Sequence, residues 1–126
     1  MESRKICAAL IAAMALVSVS AQAEWIQLDG GVTINNEHIL KKGPLRSVYI
    51  RDANGGNTGA GHYAYAVMRS IYDCNAWTTA AQSITLYSIN GAVVYSNEWK
   101  SYQQSYSSIM PGSNGEIIAK AVCAMN

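Results

Sequence analysis

The cysteine pattern constrains the fold of this chain more than any other sequence feature. Cys74 and Cys123 are the two cysteines that remain once the N-terminal 23 residues, which have the features of an export signal, are removed. An even pair of cysteines in an exported chain favours a disulfide over free thiols. On the chain-entropy model, closing a loop of about 50 residues stabilises a fold by about 4 kcal/mol. We therefore predict one disulfide, Cys74–Cys123.

Residues 1–23 have the three parts of a secretory signal peptide. They carry a positive start at Arg4 and Lys5, continue as an uncharged apolar stretch from Ile6 to Val19, and end in the small-residue motif Ala21-Gln22-Ala23. The apolar stretch is shorter than the roughly 20 residues that a membrane-spanning helix needs. We predict cleavage before Glu24 and one mature domain, residues 24–126, without a transmembrane span. Its expected location is the periplasm, the cell surface or the medium.

Composition excludes two classes of protein. Nine basic and eight acidic residues give the full chain a formal net charge of +1. Nucleic-acid binders carry a basic patch that displaces the counterions of the phosphate backbone, so we expect no nucleic-acid partner. Because half of the residues are hydrophobic and the net charge is low, the chain is predicted to fold rather than to stay disordered.

Most of the mature chain has the patterns of β-strands. Residues 24–29 and 45–52 are rich in β-branched, aromatic and alternating apolar side chains, which is typical of strands. Residues 62–74 place tyrosines and aliphatic residues on one parity and alanines on the other, which favours one long strand and leaves a helix open. Glycine-rich residues 54–61 are expected to form a mobile connection, because ordering glycine costs the most backbone entropy.

A hairpin is predicted around Asn90-Gly91, which separates strands at residues 83–89 and 92–95. Asn-Gly tolerates positive φ at both central positions of a two-residue turn, the geometry that matches the twist of paired strands. The predicted pairs are Ile89 with Ala92, Tyr87 with Val94, and Leu86 with Tyr95.

The last segment is predicted to be a helix. Ser113 and Glu116 fit a capping box, in which the hydroxyl and the carboxylate each accept a backbone N–H of the other residue. Apolar residues follow at helical spacing and form one face. Because Cys123 lies on this helix and Cys74 ends a strand, the disulfide would tie the helix to the sheet. Strands followed by one helix predict an α+β domain with the helix on one face.

The order and spacing of these motifs resemble the surface-adhesin protein E family of Gram-negative bacteria. The resemblance spans residues 25–123 and rests on three features: Asp73-Cys74 at a strand end, the hairpin around Tyr87 and Gly91, and residues 109–113 leading into a helix with Cys123. It implies a curved antiparallel sheet of about five to six strands with one C-terminal helix, tethered by a disulfide. Two departures from the family are the lack of an apparent lipid-attachment cysteine and Tyr106 in place of a tryptophan.

The resemblance also implies a function. Family members with known function look like adhesins that bind host extracellular-matrix or plasma proteins such as laminin, vitronectin and plasminogen, and haem binding belongs to the family's properties. An exported adhesin-like binding protein is therefore the first hypothesis. The alternative is a periplasmic structural or envelope-stress domain without a host partner.

No motif predicts an enzyme, a cofactor or a metal. The sequence lacks paired carboxylates and a Cys-His pair with a free thiol. A metal site that combines Cys74 and Cys123 with His38 and His62 is the alternative to the disulfide, but no CxxC or HxxxH spacing supports it.

Two groups of residues are candidates for binding a protein ligand. Lys41, Lys42 and Arg46 form a basic cluster around Pro44 that suits an acidic partner such as a sulfated glycan. Tyr102 and Tyr106 lie in a polar run and are the tyrosines most expected to be exposed, where they offer contact area with a polar tip. An exposed sheet edge is a further candidate, as the interface of a homodimer.

Overall fold

The computed structural model describes residues 25–125, which form ten β-strands and one α-helix. The strands are β1 (Trp25–Gln27), β2 (Val32–Asn35), β3 (Leu40–Lys42), β4 (Leu45–Asp52), β5 (Gly56–Thr58), β6 (Gly61–Tyr63), β7 (Tyr65–Asp73), β8 (Thr78–Tyr87), β9 (Val93–Glu98) and β10 (Ser107–Ser108), and the helix is α1 (Asn114–Ala124). The predicted signal peptide lies outside the described residues. Within residues 25–125, no helix has the length and hydropathy needed to cross a bilayer.

Three long antiparallel strands, β4, β7 and β8, form the centre of the main sheet. The outer edge of β4 pairs with β2 along one half and with β3 along the other. The outer edge of β8 is divided in the same way between β9 and β10, and β1 pairs with β2. The sheet is thus six strand positions wide, and β5 and β6 form a separate hairpin.

The two faces of the sheet differ because side chains alternate along each strand. On β4, Val48 and Ile50 are buried, whereas Tyr49 and Arg51 point the other way and are exposed. The buried face packs against α1 in one cluster, whose buried members are Val32, Ile34, Val48, Ile50, Tyr72, Ile109, Ile118, Ala119 and Val122. The predicted α+β fold, with a helix on one face of an antiparallel sheet, is confirmed.

The disulfide joins the helix to the end of a central strand. Cys74 directly follows β7 and Cys123 lies in the last turn of α1, and their Cα atoms are 5.7 Å apart across the bond. The predicted disulfide is therefore confirmed. Because the two sulfurs are bonded to each other, the alternative metal site that needed both thiolates is excluded.

The cap of α1 differs in one hydrogen bond from the predicted box. The Ser113 hydroxyl accepts the backbone N–H of Glu116 at 3.3 Å. The Glu116 carboxylate accepts from the backbone N–H of Gly112 at 3.2 Å rather than from that of Ser113. The N–H of Ser113 instead donates to the carbonyl of Met110, so it is not available to Glu116.

The glycine-rich segment is ordered as the β5–β6 hairpin rather than as a mobile connection, and the predicted strand 62–74 is divided at Ala64 into β6 and β7. Glycine at position 55 allows the backbone of Tyr63 to come close. A Cβ on Gly55 would lie 2.6 Å from the carbonyl oxygen of Tyr63, a contact that only glycine avoids.

The β8–β9 hairpin begins earlier and turns differently than predicted. β8 starts at Thr78, and Gly91 alone has positive φ in the turn, at +86°. Leu86 pairs with Tyr95 as predicted, but a bulge after Leu86 places Tyr87 opposite Val93 instead of Val94. The turn is longer than two residues because the N–H of Gly91 donates to the carbonyl of Ser88, which is the pattern of a type I turn followed by a left-handed glycine.

Candidate binding site

The face of the sheet opposite α1 carries a row of polar and aromatic side chains. Strand register places Thr33 of β2 beside Arg51 of β4, and Arg51 beside Val67 of β7. Tyr65 of β7 stands directly opposite Tyr87 of β8. Because paired residues share a face, and Tyr65 and Val67 are two residues apart on β7, these side chains lie on one face in two neighbouring rows across four strands.

This row lines a cleft of about 580 Å³, to which β1 adds Trp25. We name it the aromatic cleft; its residues are Trp25, Thr33, Arg51, Tyr65, Val67 and Tyr87. Of the described residues, no carboxylate lines it and Arg51 is the one charged member. The cleft is therefore a positively charged, largely aromatic surface built on paired strands.

The aromatic side chains of the cleft are held in a stack. The rings of Tyr65 and Tyr87 lie parallel, with centroids 4.9 Å apart and 12° between their planes. The guanidinium carbon of Arg51 lies 4.6 Å from the centroid of the Tyr65 ring, on the side of β4. Tyr65 is thus sandwiched between an aromatic ring and a cation, an arrangement that cation–π attraction favours.

The guanidinium of Arg51 has no other partner among residues 25–125. The ion pair found in this part of the chain joins Lys120 and Glu116 on α1, at 3.7 Å. The hydrogen bonds of the described side chains do not include Arg51. The Arg51 side chain is exposed.

A second arginine–tyrosine pair on the same face also forms hydrogen bonds with neighbouring strands. The guanidinium carbon of Arg69 lies 5.3 Å from the ring centroid of Tyr49. The Nε of Arg69 donates to the hydroxyl of Ser47 at 3.1 Å, and that hydroxyl donates to Oε1 of Gln82. Arg69 is thus hydrogen-bonded to the central strands through Ser47, whereas Arg51 contacts the described residues through the Tyr65 ring.

The predicted basic cluster lies at the other end of β4 from Arg51. Lys41 and Lys42 are exposed on β3, and Lys41 is the register partner of Arg46. Arg46 donates from Nη1 to the carbonyls of Gly43 and Leu45, at 2.7 and 3.0 Å. Arg46 therefore holds the β3–β4 hairpin, which leaves the two lysines as the accessible charges of the cluster.

The two tyrosines chosen from sequence are exposed but separate from the cleft. Tyr102 is 80% and Tyr106 44% exposed, both between β9 and α1. The residues that sequence reasoning missed are Trp25, Arg51, Tyr65 and Tyr87. Their shared parity on predicted strands was a signal, but their proximity follows from a register that the sequence does not show.

The histidines are not gathered with other ligating residues. His62 Nδ1 lies 3.0 Å from Oδ1 of Asn57, and His38 is exposed. In residues 25–125, no group of three or more histidine, cysteine, aspartate or glutamate side chains is placed to hold a metal ion.

The described residues form an antiparallel sheet with a helix on one face and aromatic side chains on the other. The sequence matches the family model of surface-adhesin protein E over residues 25–124. The chain therefore belongs to the surface-adhesin protein E family and is an adhesin-like surface protein. A search of curated proteins gives no match.

Solved structures of Haemophilus influenzae protein E have the same fold. Crystal form II of that protein is 12% identical, with a TM-score of 0.60, over 82% of this chain and 90% of that one. A second structure is 14% identical, with a TM-score of 0.57, over 82% and 86% of the two chains. Protein E from a non-typeable strain is 13% identical, with a TM-score of 0.54, over 82% and 78%. At these identities the likeness establishes the fold.

Proposed function

We propose that this protein is an exported adhesin-like binding protein that recognises host extracellular-matrix or plasma proteins, with laminin, vitronectin and plasminogen as the first ligands to examine. Family membership supports a binding role without catalysis. The observation that carries the proposal is the aromatic cleft, which no element of the described chain covers. We place the contact with the ligand there.

The residue types of the cleft suit such a contact. Tryptophan, tyrosine and arginine are the types that most often dominate the energy of protein interfaces. Trp25 is 47% exposed, so a large ring is available to a partner. The cleft side chains stand on paired strands and three of them are stacked, so binding costs little side-chain ordering.

Lys41 and Lys42 have a different role in the proposal. Both are exposed and lie at the far end of β4 from the cleft, so they contribute to approach rather than to the central contact. Exposed charges of this kind raise association rates with an acidic partner and are screened by salt. Tyr102 and Tyr106 remain predicted contacts at the periphery.

The test uses mature protein obtained by exporting the full chain and purified with its disulfide intact. Binding to immobilised laminin, vitronectin and plasminogen is measured across salt concentrations for wild type, Trp25→Ala and Lys41→Gln/Lys42→Gln. Lys120→Gln, on the helix side, is the control for surface substitution. We expect saturable binding that Trp25→Ala weakens at least tenfold, while the lysine pair changes mainly the association rate and its salt dependence. Absence of binding to all three proteins would contradict the proposal.

Export and location form the second part of the proposal. We propose that residues 1–23 are removed as a signal peptide and that the domain reaches the cell surface. N-terminal sequencing of the mature protein should begin at Glu24. Protease added to intact cells should degrade the protein; if degradation requires an opened outer membrane, the periplasmic alternative replaces the adhesin.

Self-association is a third part. β9 pairs with β8 alone within the main sheet, and its Val93 and Tyr95 are 60% and 41% exposed. An edge strand with exposed apolar side chains can pair with another copy. We propose a homodimer through this edge. Sedimentation should show dimers that Val93→Lys converts to monomers, and a wild-type monomer at all concentrations would contradict it.

A further inference from the structure

We propose that the aromatic cleft binds an acidic saccharide, a sugar unit that bears a carboxylate or a sulfate, with Arg51 as the group that pairs with the oxyanion. The inference rests on the proposed function, since it names the ligand chemistry of the same cleft. It locates recognition of a host glycoprotein in its glycan rather than in its polypeptide.

The first argument is that Arg51 has no oppositely charged partner among the described residues. Its guanidinium lies over the Tyr65 ring, 4.6 Å from the centroid, and has no ion pair or hydrogen bond with another described residue. A planar guanidinium presents a fork of N–H donors that matches a carboxylate or sulfate in a bidentate pair. Because the ring already restricts the orientation of this fork, pairing with an anion costs less side-chain entropy.

The second argument is charge complementarity. Among residues 25–125, Arg51 is the one charged residue that lines the cleft, and no aspartate or glutamate of this range does. A neutral ligand would leave the cation unpaired as it displaced water from the cleft, and a cationic ligand would be repelled. The cleft therefore selects an anionic ligand.

The third argument is the mixture of ring faces and hydroxyls. Thr33, Tyr65 and Tyr87 line the cleft, and their hydroxyls make no hydrogen bond to another described side chain or backbone group. Each hydroxyl can donate and accept, which suits the many hydroxyls of a sugar. The exposed Trp25 ring offers an apolar face against which the C–H groups of a sugar ring can lie.

The fourth argument separates a saccharide from a peptide. The four strands beneath the centre of the cleft, β2, β4, β7 and β8, are paired on both sides there, whereas β1, which carries Trp25 at its margin, is the terminal strand of the sheet. The backbone groups of the four inner strands are therefore used in the sheet and cannot pair with the backbone of an extended peptide. A ligand that lies over these four strands is recognised by side chains alone. The volume of about 580 Å³ is within the range of small-ligand sites and suits one or two sugar rings.

The test is calorimetric titration of the mature, oxidised protein with defined oligosaccharides. The probes are an unsulfated chondroitin tetrasaccharide, its sulfated form, and the unsulfated form with its carboxylates reduced to alcohols. We expect binding of at least one acidic form and at least tenfold weaker binding of the reduced form. The carboxylate is the recognised group if both acidic forms bind, and the sulfate if only the sulfated form does. Failure of both acidic forms, or equal affinity for the reduced form, overturns the inference.

Variants locate the site. Arg51→Gln should weaken binding of the acidic form at least tenfold while lowering the thermal unfolding midpoint only slightly, because the Arg51 side chain is exposed and its contact with the Tyr65 ring is a weak surface interaction. Lys120→Gln removes the same charge from the opposite side of the protein and should leave affinity unchanged. Equal losses in the two variants would show a nonspecific charge effect and overturn the assignment of Arg51.

A last measurement separates this inference from the proposed function. Immobilised laminin, vitronectin and plasminogen are compared before and after enzymatic removal of their glycans. Loss of binding with the glycans supports the inference. Undiminished binding to the deglycosylated proteins overturns it while the proposed host-protein binding stands, and absence of binding in both states contradicts the proposed function itself.

Discussion

Removal of the disulfide should cost this fold a large part of its stability. Replacing both partners in Cys74→Ala/Cys123→Ala releases a cross-link between residues 49 apart in sequence. On the chain-entropy model, a loop of this length corresponds to about 4 kcal/mol at 25 °C. Domains are stable by only about 5–15 kcal/mol in total. We therefore expect a variant that folds with a greatly lowered free energy of unfolding.

The variant without the disulfide should still reach the native fold, because apolar packing also holds α1 on the sheet. Ile118, Ala119 and Val122 of α1 are buried against the sheet whether or not the bond is present. The loss therefore comes mainly from the unfolded chain, which becomes less restricted when the cross-link is absent. The spectrum of the folded variant should match that of the wild type.

Urea unfolding followed by circular dichroism measures this loss. The variant should unfold at lower urea with a steeper dependence on denaturant, because a chain without the cross-link exposes more surface. Wild-type protein in reductant should lose a similar free energy, whereas the variant should not respond to reductant. A loss below about 1 kcal/mol would refute the reasoning from chain entropy.

Three further predictions concern packing, capping and ionisation. Ile34 is 0% exposed, so Ile34→Ala should lower the free energy of unfolding in urea by about 2–5 kcal/mol. Ile89 is 92% exposed, so Ile89→Ala should change it by no more than about 0.5 kcal/mol. Similar losses in the two variants would contradict the assigned core. Ser113→Ala removes the hydroxyl that accepts from Glu116 and should cost about 1 kcal/mol by thermal unfolding, and an unchanged midpoint would argue against the cap. Burial raises the pKa of Tyr72 from 10.0 to about 12, so between pH 10 and 12 the unfolded chain ionises this phenol and the folded chain does not. The contribution of Tyr72 to stability is intact below pH 10 and should fall by about 2–3 kcal/mol between pH 10 and 12. Tyr72→Phe should lack this part of the loss. Equal loss of stability in wild type and Tyr72→Phe over this interval would contradict the raised pKa of Tyr72.

Elements with strong local signals were predicted well. β4 runs from Leu45 to Asp52, the same residues that the sequence indicated, because their alternation of side chains already defines a buried and an open face. The cap at Ser113 identified the start of α1, and cysteine chemistry identified the disulfide. The strand and the helix cap depend on interactions within a few residues, and the disulfide joins the two cysteines of the described chain.

Elements that depend on a partner strand were missed. β2, β3 and β10 have two to four residues each and exist through pairing with β4 or β8. The bulge after Leu86 moved the hairpin register by one residue, because the hydrogen bonds of Ser88 compete with the two-residue turn that Asn-Gly favours.

The sequence by itself determined the class of fold, its covalent tether and its family, because alternation, capping and cysteine pairing act locally or through composition. Only the tertiary structure decided the site. Trp25, Arg51 and Tyr65 come from three strands and meet because strand order and register bring them to one face. The same register places Arg69 in a hydrogen bond with Ser47, whereas Arg51 has no hydrogen bond with another described residue. Two arginines that look alike in sequence thus have different side-chain partners, since side-chain neighbours across a sheet depend on pairing between distant segments.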